Sequence, residues 1–526
     1  MKLSGSQIIL KVLKEKGIDT LFGYPGGAVI PFFDALYDEL DYFKVYRPAH
    51  EQNGVHAADG YARSTGKLGV FVATSGPGAT NTITGIANAY MDSTPLLVIT
   101  GQVANVLIGK DSFQEVDITG LTLSVTKHNY LVRRVENLED VIREAIEVAL
   151  EGRPGPVLVD VPKDVFLKQY EYKGKKSEYE NKQAVIPDEV LLGKAADLIN
   201  KSKKPVIYAG GGIRISKNDK LLLQFAEKSG IPVANSFMGL GTIPRINKLS
   251  LGFVGMHGFK ETNMAVTNCD LLIAIGARFS DRVIGNPDKF APNAKIIHID
   301  IDSTEIDKNT SDCIPLIGNM SCILSKLMEL TEEKDRSSWL EEIMSNKITS
   351  DIDGQFVPEN ILKEINNHYD KNSIVVTDVG QHQMWAGQFW QFNKSNEFVT
   401  SGGLGTMGFG FGAAIGSQIG NPDKKTIFIT SDGSLRMSCE ELVTISKYKL
   451  PIKIIMLNNN ALGMVRQWQR MFSNARYSET DNYDDVNYQK LADAYGIRGY
   501  KAESMDELKH ILSETKDINA AIFIEC

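Results

Sequence analysis

Apolar runs a few residues long recur throughout the chain, separated by stretches with the 3.6-residue period of a helix. In the first third this pattern predicts a helix after Ser4 and strands near Thr20–Gly23, Val45–Tyr46, Val70–Thr74 and Leu96–Thr100, with helices through Ala57–Arg63 and after Gly78. Strands alternating with helices predict a parallel sheet covered on both faces. A second set has strands at Pro205–Ala209, Leu271–Ile275 and Lys295–Ile299, and a third has strands at Ile374–Thr377, Thr426–Thr430, Ile452–Leu457 and Ala520–Ile524. The polar stretch Tyr170–Gln183 breaks the periodicity and reads as a linker, and another polar stretch, Thr331–Asp353, precedes the third set. The expected fold class is α/β, with three doubly wound parallel-sheet domains over residues 1–175, 185–345 and 355–526. The first and third sets are candidates for distant structural copies of each other.

Composition narrows the function classes. With 526 residues the chain exceeds one hydrophobic core, and 43% apolar with 23% charged residues is the balance of an ordinary globular protein. The net charge of -8 is spread without long single-sign blocks, so neither nucleic acid nor an anionic membrane is an expected partner. Apolar runs such as Leu271–Ile275 fall far short of the roughly 20 residues that span a bilayer. Met1–Gly17 alternates charged and apolar residues like an amphipathic helix, not a secretory signal, which makes the cytoplasm the expected compartment. The five cysteines lack C-x-x-C spacing and the eight histidines lack H-x-x-x-H spacing, which argues against a disulfide framework and a histidine-bound metal.

Candidate chemistry concentrates where strands end. The predicted strand Thr426–Thr430 runs into Ser431-Asp432-Gly433-Ser434, and the next runs into Asn458-Asn459-Asn460, with a helix expected between them up to Lys449. If both strands lie in one parallel sheet, Asp432 and Asn459 emerge at the same edge, and their oxygens are hard ligands suited to Mg²⁺ beside a phosphate. Gly433 allows close backbone approach, and the following helix start offers N–H groups to an anion. The same residues also fit an ordinary turn with a capping aspartate. His50-Glu51-Gln52 likewise fits a solvated helix cap.

Taken together, Asp432-Gly433-Ser434, Asn458-Asn459 and His50-Glu51 resemble the pattern of thiamine-diphosphate enzymes, which set a carboxylate against the cofactor to activate it. The closer resemblance is to the catalytic large subunits of acetohydroxyacid (acetolactate) synthases. It covers essentially the whole chain and rests on Gly23-Tyr24-Pro25-Gly26-Gly27, Ala58 to Arg63, Thr74 to Asn81, Phe113-Gln114-Glu115, Gly152 to Asp164, Gly255 to Gly258 and Leu462 to Trp468. It implies an N-terminal pyrimidine-binding domain, a central FAD-binding domain and a C-terminal diphosphate and Mg²⁺ domain. Pyruvate would be decarboxylated and its two-carbon unit joined to a second pyruvate or 2-ketobutyrate, as in branched-chain amino acid biosynthesis.

The resemblance also assigns roles. Glu51 would activate the cofactor; Asp432, Asn459 and the Ala461 carbonyl would hold Mg²⁺; Met407 would prop the cofactor in its bent shape. Gly380, Gln381, His382, Gly405, Gly433 and Ser434 would belong to the diphosphate site. Arg282 would receive the second keto acid's carboxylate, a task suited to a planar fork of donors. Trp468, Met464, Phe113 and Lys163 would line the channel and pocket, with Gln114 and Gly27 near the cofactor. Outside the family, Trp468 reads as core. FAD would meet Arg153, Gly211, Gly212, His257, Arg278 and Asp300. Implied partners are 2-keto acids and further copies of the chain, as a homodimer or homotetramer whose sites form between subunits; a small regulatory subunit is a further candidate.

The sequence departs from that pattern in places. Ser431 replaces the first glycine of a Gly-Asp-Gly signature, Leu435 and Arg436 replace its Phe and an uncharged residue, Asn53 and Gly54 replace other small residues, and Phe253 stands for a methionine of the substrate path. The chain ends at Cys526, where family members continue with a tail over the site; poorer exclusion of solvent is the expected consequence. The alternatives are another thiamine-diphosphate decarboxylase or carboligase, or a degenerate cofactor-binding scaffold. A nicotinamide dehydrogenase is disfavoured: Gly403, Gly405 and Gly408 fit G-x-G-x-x-G, but no strand ending in an acidic residue follows about 20 positions on.

Overall fold

A computed structural model describes residues 1–174, 188–348, 352–369, 372–482 and 486–526. The first strands are β1 (Lys2–Ser4), β2 (Thr20–Gly23), β3 (Lys44–Tyr46), β4 (Gly69–Ala73), β5 (Leu96–Gln102), β6 (His128–Leu131), β7 (Pro156–Pro162) and β8 (Gln169–Glu171). Six of them form a parallel sheet in the order β3-β2-β4-β5-β7-β6. β1 and β8 pair antiparallel as a separate ribbon, so the expected linker from Tyr170 begins as strand; its part from 175 on lies outside the described residues.

The middle sheet takes β9 (Pro205–Ala209), β10 (Val233–Asn235), β11 (Ser250–Phe253), β12 (Leu271–Ile275), β13 (Lys295–Asp300) and β14 (Ile314–Ile317) in the order β11-β10-β9-β12-β13-β14. The third takes β15 (Ile374–Thr377), β16 (Phe398–Val399), β17 (Thr426–Thr430), β18 (Lys453–Met456), β19 (Arg498–Lys501) and β20 (Ile522–Glu525) in the order β16-β15-β17-β18-β20-β19. Counted from its own first strand, the third sheet repeats the connectivity of the first, as expected of structural copies. The middle sheet follows the 3-2-1-4-5-6 order of a dinucleotide-binding fold.

Fully buried runs such as Leu96–Gln102 explain why these strands are legible: with helices on both faces, no strand position needs to be polar. One polar stretch holds an unforeseen helix, and one expected helix is broken. The polar stretch Thr331–Asp353 contains the helix Ser337–Met344, which buries only Trp339 and Ile343 and so leaves a weak periodic signal. The helix expected after Asp432 breaks into Asp432–Leu435 and Leu442–Lys447.

Two compact units make up the chain, one with the first and third sheets and the other with the middle sheet plus Met384–Phe398. In the first unit, one core runs through both sheets: Val55, Ala57 and Ala58 of the helix Glu51–Thr65 cluster with Phe409, Phe411 and Ala413 of the helix Phe409–Gly420.

Candidate active site

In both the first and the third sheet the strand order reverses beside the first strand, and open parallel sheets bind ligands at such reversals, beyond the carboxyl ends of the strands. In the third sheet the loops at that point follow β15 and β17. Ser431 caps the short helix with extended backbone (φ -132°, ψ 169°), a conformation any residue adopts, so the serine fits without strain. Asp432 follows, buried at 1% exposure. Its Oδ2 accepts from Asn482 Nδ2 at 3.0 Å, whereas its Oδ1 is buried with no hydrogen-bond partner among the described residues. Burial raises the carboxyl's pKa, opposed by N–H donors that include that of Asn459. β17 and β18 are parallel neighbours, which brings Asp432 and Asn459 to the same edge.

Around this pair the chain converges. Asn459 Oδ1 accepts the Ala461 N–H at 3.2 Å, and its amide donates to Gln381 Oε1 at 3.1 Å. Gln381 in turn donates to Gln467 Oε1 at 3.2 Å. A Cβ on Gly433 would sit 2.8 Å from Leu462 and 3.9 Å from Met407, so the glycine leaves the room that a bound group needs. Ser434 donates to the Val379 carbonyl at 2.8 Å. Asp378, its pKa pushed up to about 6 by burial, accepts the N–H groups of Val379, Gly408 and Gly410 and so fixes the loop that carries Gly405 and Met407. His382 is fully buried, and desolvation keeps it neutral, with a pKa down to about 3. Gly380 immediately precedes Gln381, on the same loop.

Met464 and Trp468 lie on the helix Gly463–Phe472, which starts at this cluster and buries none of its residues. Trp468 is 39% exposed and stands edge-on to Phe472, so its reading as a core residue does not hold.

In the first sheet, Glu51 is the first residue of the helix Glu51–Thr65, and the Nδ1 of His50, its N-cap, accepts the Gln52 N–H at 3.2 Å. Asn81 donates to Glu51 Oε2 at 3.0 Å, and Gly78 lies beside Oε1. Thr74 accepts the Ala28 N–H at 3.1 Å, holding the turn in which Gly27 faces open space. Gln114 has a left-handed backbone (φ 59°) and packs on Gly76; Phe113 is 88% exposed. Lys163 is exposed at the first helical position after β7. Arg153, also in this unit, donates to Ser93 Oγ at 2.8 Å.

In the second unit the strand order reverses between β9 and β12. Gly211 and Gly212 follow β9, where the Gly212 N–H donates to the Gly276 carbonyl at 2.9 Å. Arg278 follows β12, and Asp300 ends β13 with its carboxyl raised by burial. His257 is held below its ordinary pKa by burial and by Arg282, whose carbonyl accepts the Met256 N–H at 2.9 Å. The Arg282 side chain is exposed near Asp281. Phe253 is buried edge-on to Phe237 and Phe259.

Sequence reasoning missed Asn482, brought to Asp432 because Asp481 bridges Ala461 in antiparallel fashion, and it missed Asp378; no short motif links them to the signature. Among the described residues, no group of three or more His, Cys, Asp and Glu side chains could hold a metal, so a cation here would depend on Asp432 with amide and carbonyl oxygens.

Loops at the strand ends of the third sheet meet at Asp432, and models of the thiamine pyrophosphate enzyme N-terminal TPP binding domain, central domain and C-terminal TPP binding domain match residues 3–121, 192–327 and 378–526, which makes the chain a thiamine-diphosphate enzyme. The probable acetolactate synthase large subunit of Methanocaldococcus jannaschii is 46% identical over 97% of this chain and 90% of its own length. The acetolactate synthase large subunit of Lactococcus lactis is 42% identical over 97% and 91%, and the acetolactate synthase isozyme 2 large subunit of Escherichia coli 43% identical over 97% and 93%. The chain belongs to the acetolactate synthase large-subunit family of thiamine-diphosphate enzymes.

Proposed function

We propose that this enzyme makes acetolactate, decarboxylating pyruvate and joining the two-carbon unit to a second pyruvate or 2-ketobutyrate, with Mg²⁺ and FAD as further cofactors. The observation that carries the reading is the buried Asp432 Oδ1, without a hydrogen-bond partner among the described residues, on the sheet edge that also holds Asn459; a carboxylate and an amide oxygen are hard donors of the kind Mg²⁺ takes beside a diphosphate. Asp432, Asn459 and the Ala461 carbonyl would hold the ion; Gly380, Gln381, Gly405 and Ser434 would frame the diphosphate, and Met407 beside Gly433 would support the cofactor's bend. When bound, thiamine diphosphate supplies the electron sink that lets the bond between the carboxylate and carbonyl carbons break.

The chain's own groups do the rest. Glu51 would activate the cofactor through its carboxylate, which Asn81 fixes by donating to Oε2. Arg282 pairs with the acceptor's carboxylate, and Trp468, Met464, Phe113, Gln114 and Lys163 line the way in. FAD would lie at the middle sheet's reversal against Gly211, Gly212, His257, Arg278 and Asp300, which accords with that sheet's order. Further copies of the chain would complete a homodimer or homotetramer, and a small regulatory subunit is a proposed partner, since the relatives are named large subunits. The cytoplasm is the proposed compartment; the five cysteines are free, and among the described residues no helix is long and apolar enough to cross a membrane.

The test is to incubate the purified protein with pyruvate, thiamine diphosphate, Mg²⁺ and FAD and to quantify acetolactate beside Glu51→Gln. Acetolactate that falls at least about 10²-fold in the variant is expected. Free acetaldehyde in its place would reassign the chain as a simple decarboxylase, and no product with cofactor bound would leave a scaffold.

A further inference from the structure

The segment Arg47–Asn53, which leads into the helix Glu51–Thr65, is fastened to the third domain of the same unit at several points. Tyr448 Oη accepts the Arg47 N–H at 2.8 Å, and Asn53 Nδ2 donates to Glu440 Oε1 at 2.9 Å. Between these lies Glu441, with no exposed surface. Its Oε1 accepts the N–H of Ala49 at 2.9 Å and of His50 at 3.1 Å, and its Oε2 accepts the Thr444 hydroxyl at 2.6 Å. A carboxylate on two consecutive N–H groups leaves the backbone there little freedom, because charge-assisted bonds are short and directional. The next residue is Glu51. Its helix is fixed further along, where Gly60 and Gly416 let it touch the helix Phe409–Gly420 backbone to backbone, so its first turn is the part left for Glu441 to aim.

We propose that Glu441 is the positioning residue for Glu51: by holding the backbone of Ala49 and His50 it sets where the Glu51 carboxylate stands. The proposal rests on the reading of Glu51 as the activating group and adds the device that places it. Such placement matters because about 1 Å of misalignment of a reacting group costs about 10²-fold in rate. Nothing in the sequence around Ser438-Cys439-Glu440-Glu441 marks this glutamate; the fold brings it across 392 and 391 positions to its two partners.

The test uses the full chain loaded with thiamine diphosphate and Mg²⁺ and two mild variants. Glu441→Gln keeps an oxygen for both N–H groups and an amide that can donate to Thr444, whereas Glu441→Asp keeps the charge but is one methylene shorter. Four quantities are read: exchange of the cofactor's thiazolium ring proton with deuterated solvent, kcat and KM for pyruvate, cofactor Kd, and backbone amide exchange in the peptide over residues 47–55. Glu441→Gln should stay within about threefold of the parent in all of them. Glu441→Asp should lose about tenfold or more in ring-proton exchange and kcat, with Kd and KM within about threefold and with faster amide exchange in the 47–55 peptide. Glu441→Asp matching the parent in ring-proton exchange would overturn the proposal, as would equal losses in both variants that track cofactor affinity. A parent whose ring-proton exchange is indifferent to Glu51→Gln would instead remove the reading of Glu51, and the proposal with it.

Discussion

Asp160 is a buried carboxylate without a place in the chemistry above. It accepts from Thr100 Oγ1 at 2.7 Å and from Gln102 Nε2 at 3.0 Å, and Gln102 also donates to the Val116 carbonyl at 2.7 Å, just beyond Phe113 and Gln114. Burial outweighs these bonds and pushes its carboxyl up to about 7 from an ordinary 3.8. The folded chain therefore keeps a proton that the unfolded chain has released in this window, and the stability from that proton, full below about pH 4, is lost as pH rises through about 7. Asp160→Asn has no such titration, so it should cost more stability at about pH 5 than at about pH 8. Urea unfolding at both pH values checks this; an equal cost at the two would show that Asp160 ionises normally. The departure at Arg436 yields a second expectation. Its Nη2 donates to the Asn482 carbonyl and to Tyr488 Oη, each at 3.2 Å, and Asn482 is the partner of Asp432. Arg436→Ala should weaken Mg²⁺ binding by about tenfold, the low end of the loss found when a group supporting a metal ligand is removed. Mg²⁺ affinity measured by titration should therefore move, and an unchanged value would separate Arg436 from the site. At this scale the sequence is only half readable. Asp432 and Asn459 are legible because each follows closely on a strand; Asn482, Glu441 and Asp378 are not, because their partners become neighbours only through the fold.

Between elements, the decisive contact is helix on helix within the first unit. Gly412, Gly416 and Gly420 recur every four residues along Phe409–Gly420, and a Cβ on Gly416 would run into the Ala57 carbonyl. The strand patterns gave no hint of this, since a run of glycines in a helix reads locally as weakness rather than as close packing. The interface also carries buried polar groups. Arg63 pairs with Asp59 and Asp92, Asp92 accepts the N–H groups of Gly402 and Gly403, and Asn88 Oδ1 accepts the hydroxyls of Ser401 and Thr406. Residues of the first domain thus hold the loop that leads to Met407, while Glu441 of the third holds the segment that leads to Glu51. Gly416→Ala, which forces the helices apart, should cost about 1–3 kcal/mol or more. Thermal unfolding checks the magnitude, and a neutral result would mean that the helices separate freely.

For the whole molecule, the two proposed cofactor sites fall in different compact units: the Asp432 cluster in the first, and Gly211, His257, Arg278 and Asp300 in the second. A ligand that binds only the folded form stabilises it by about 2.7 kcal/mol at a hundredfold excess over its Kd. Thiamine diphosphate with Mg²⁺ should therefore raise the transition of the first unit, and FAD that of the second, each with little effect on the other. Asp432→Ala should abolish the first effect and spare the FAD effect, because the Asp432 carboxylate bonds to Asn482 and Asn459 of its own unit. Arg278→Ala should do the reverse. Differential scanning calorimetry with each cofactor alone and with both together reads these shifts directly. Loss of FAD stabilisation in Asp432→Ala would mean that the two sites report on one cooperative structure, and the assignment of FAD to the middle sheet alone would have to be abandoned.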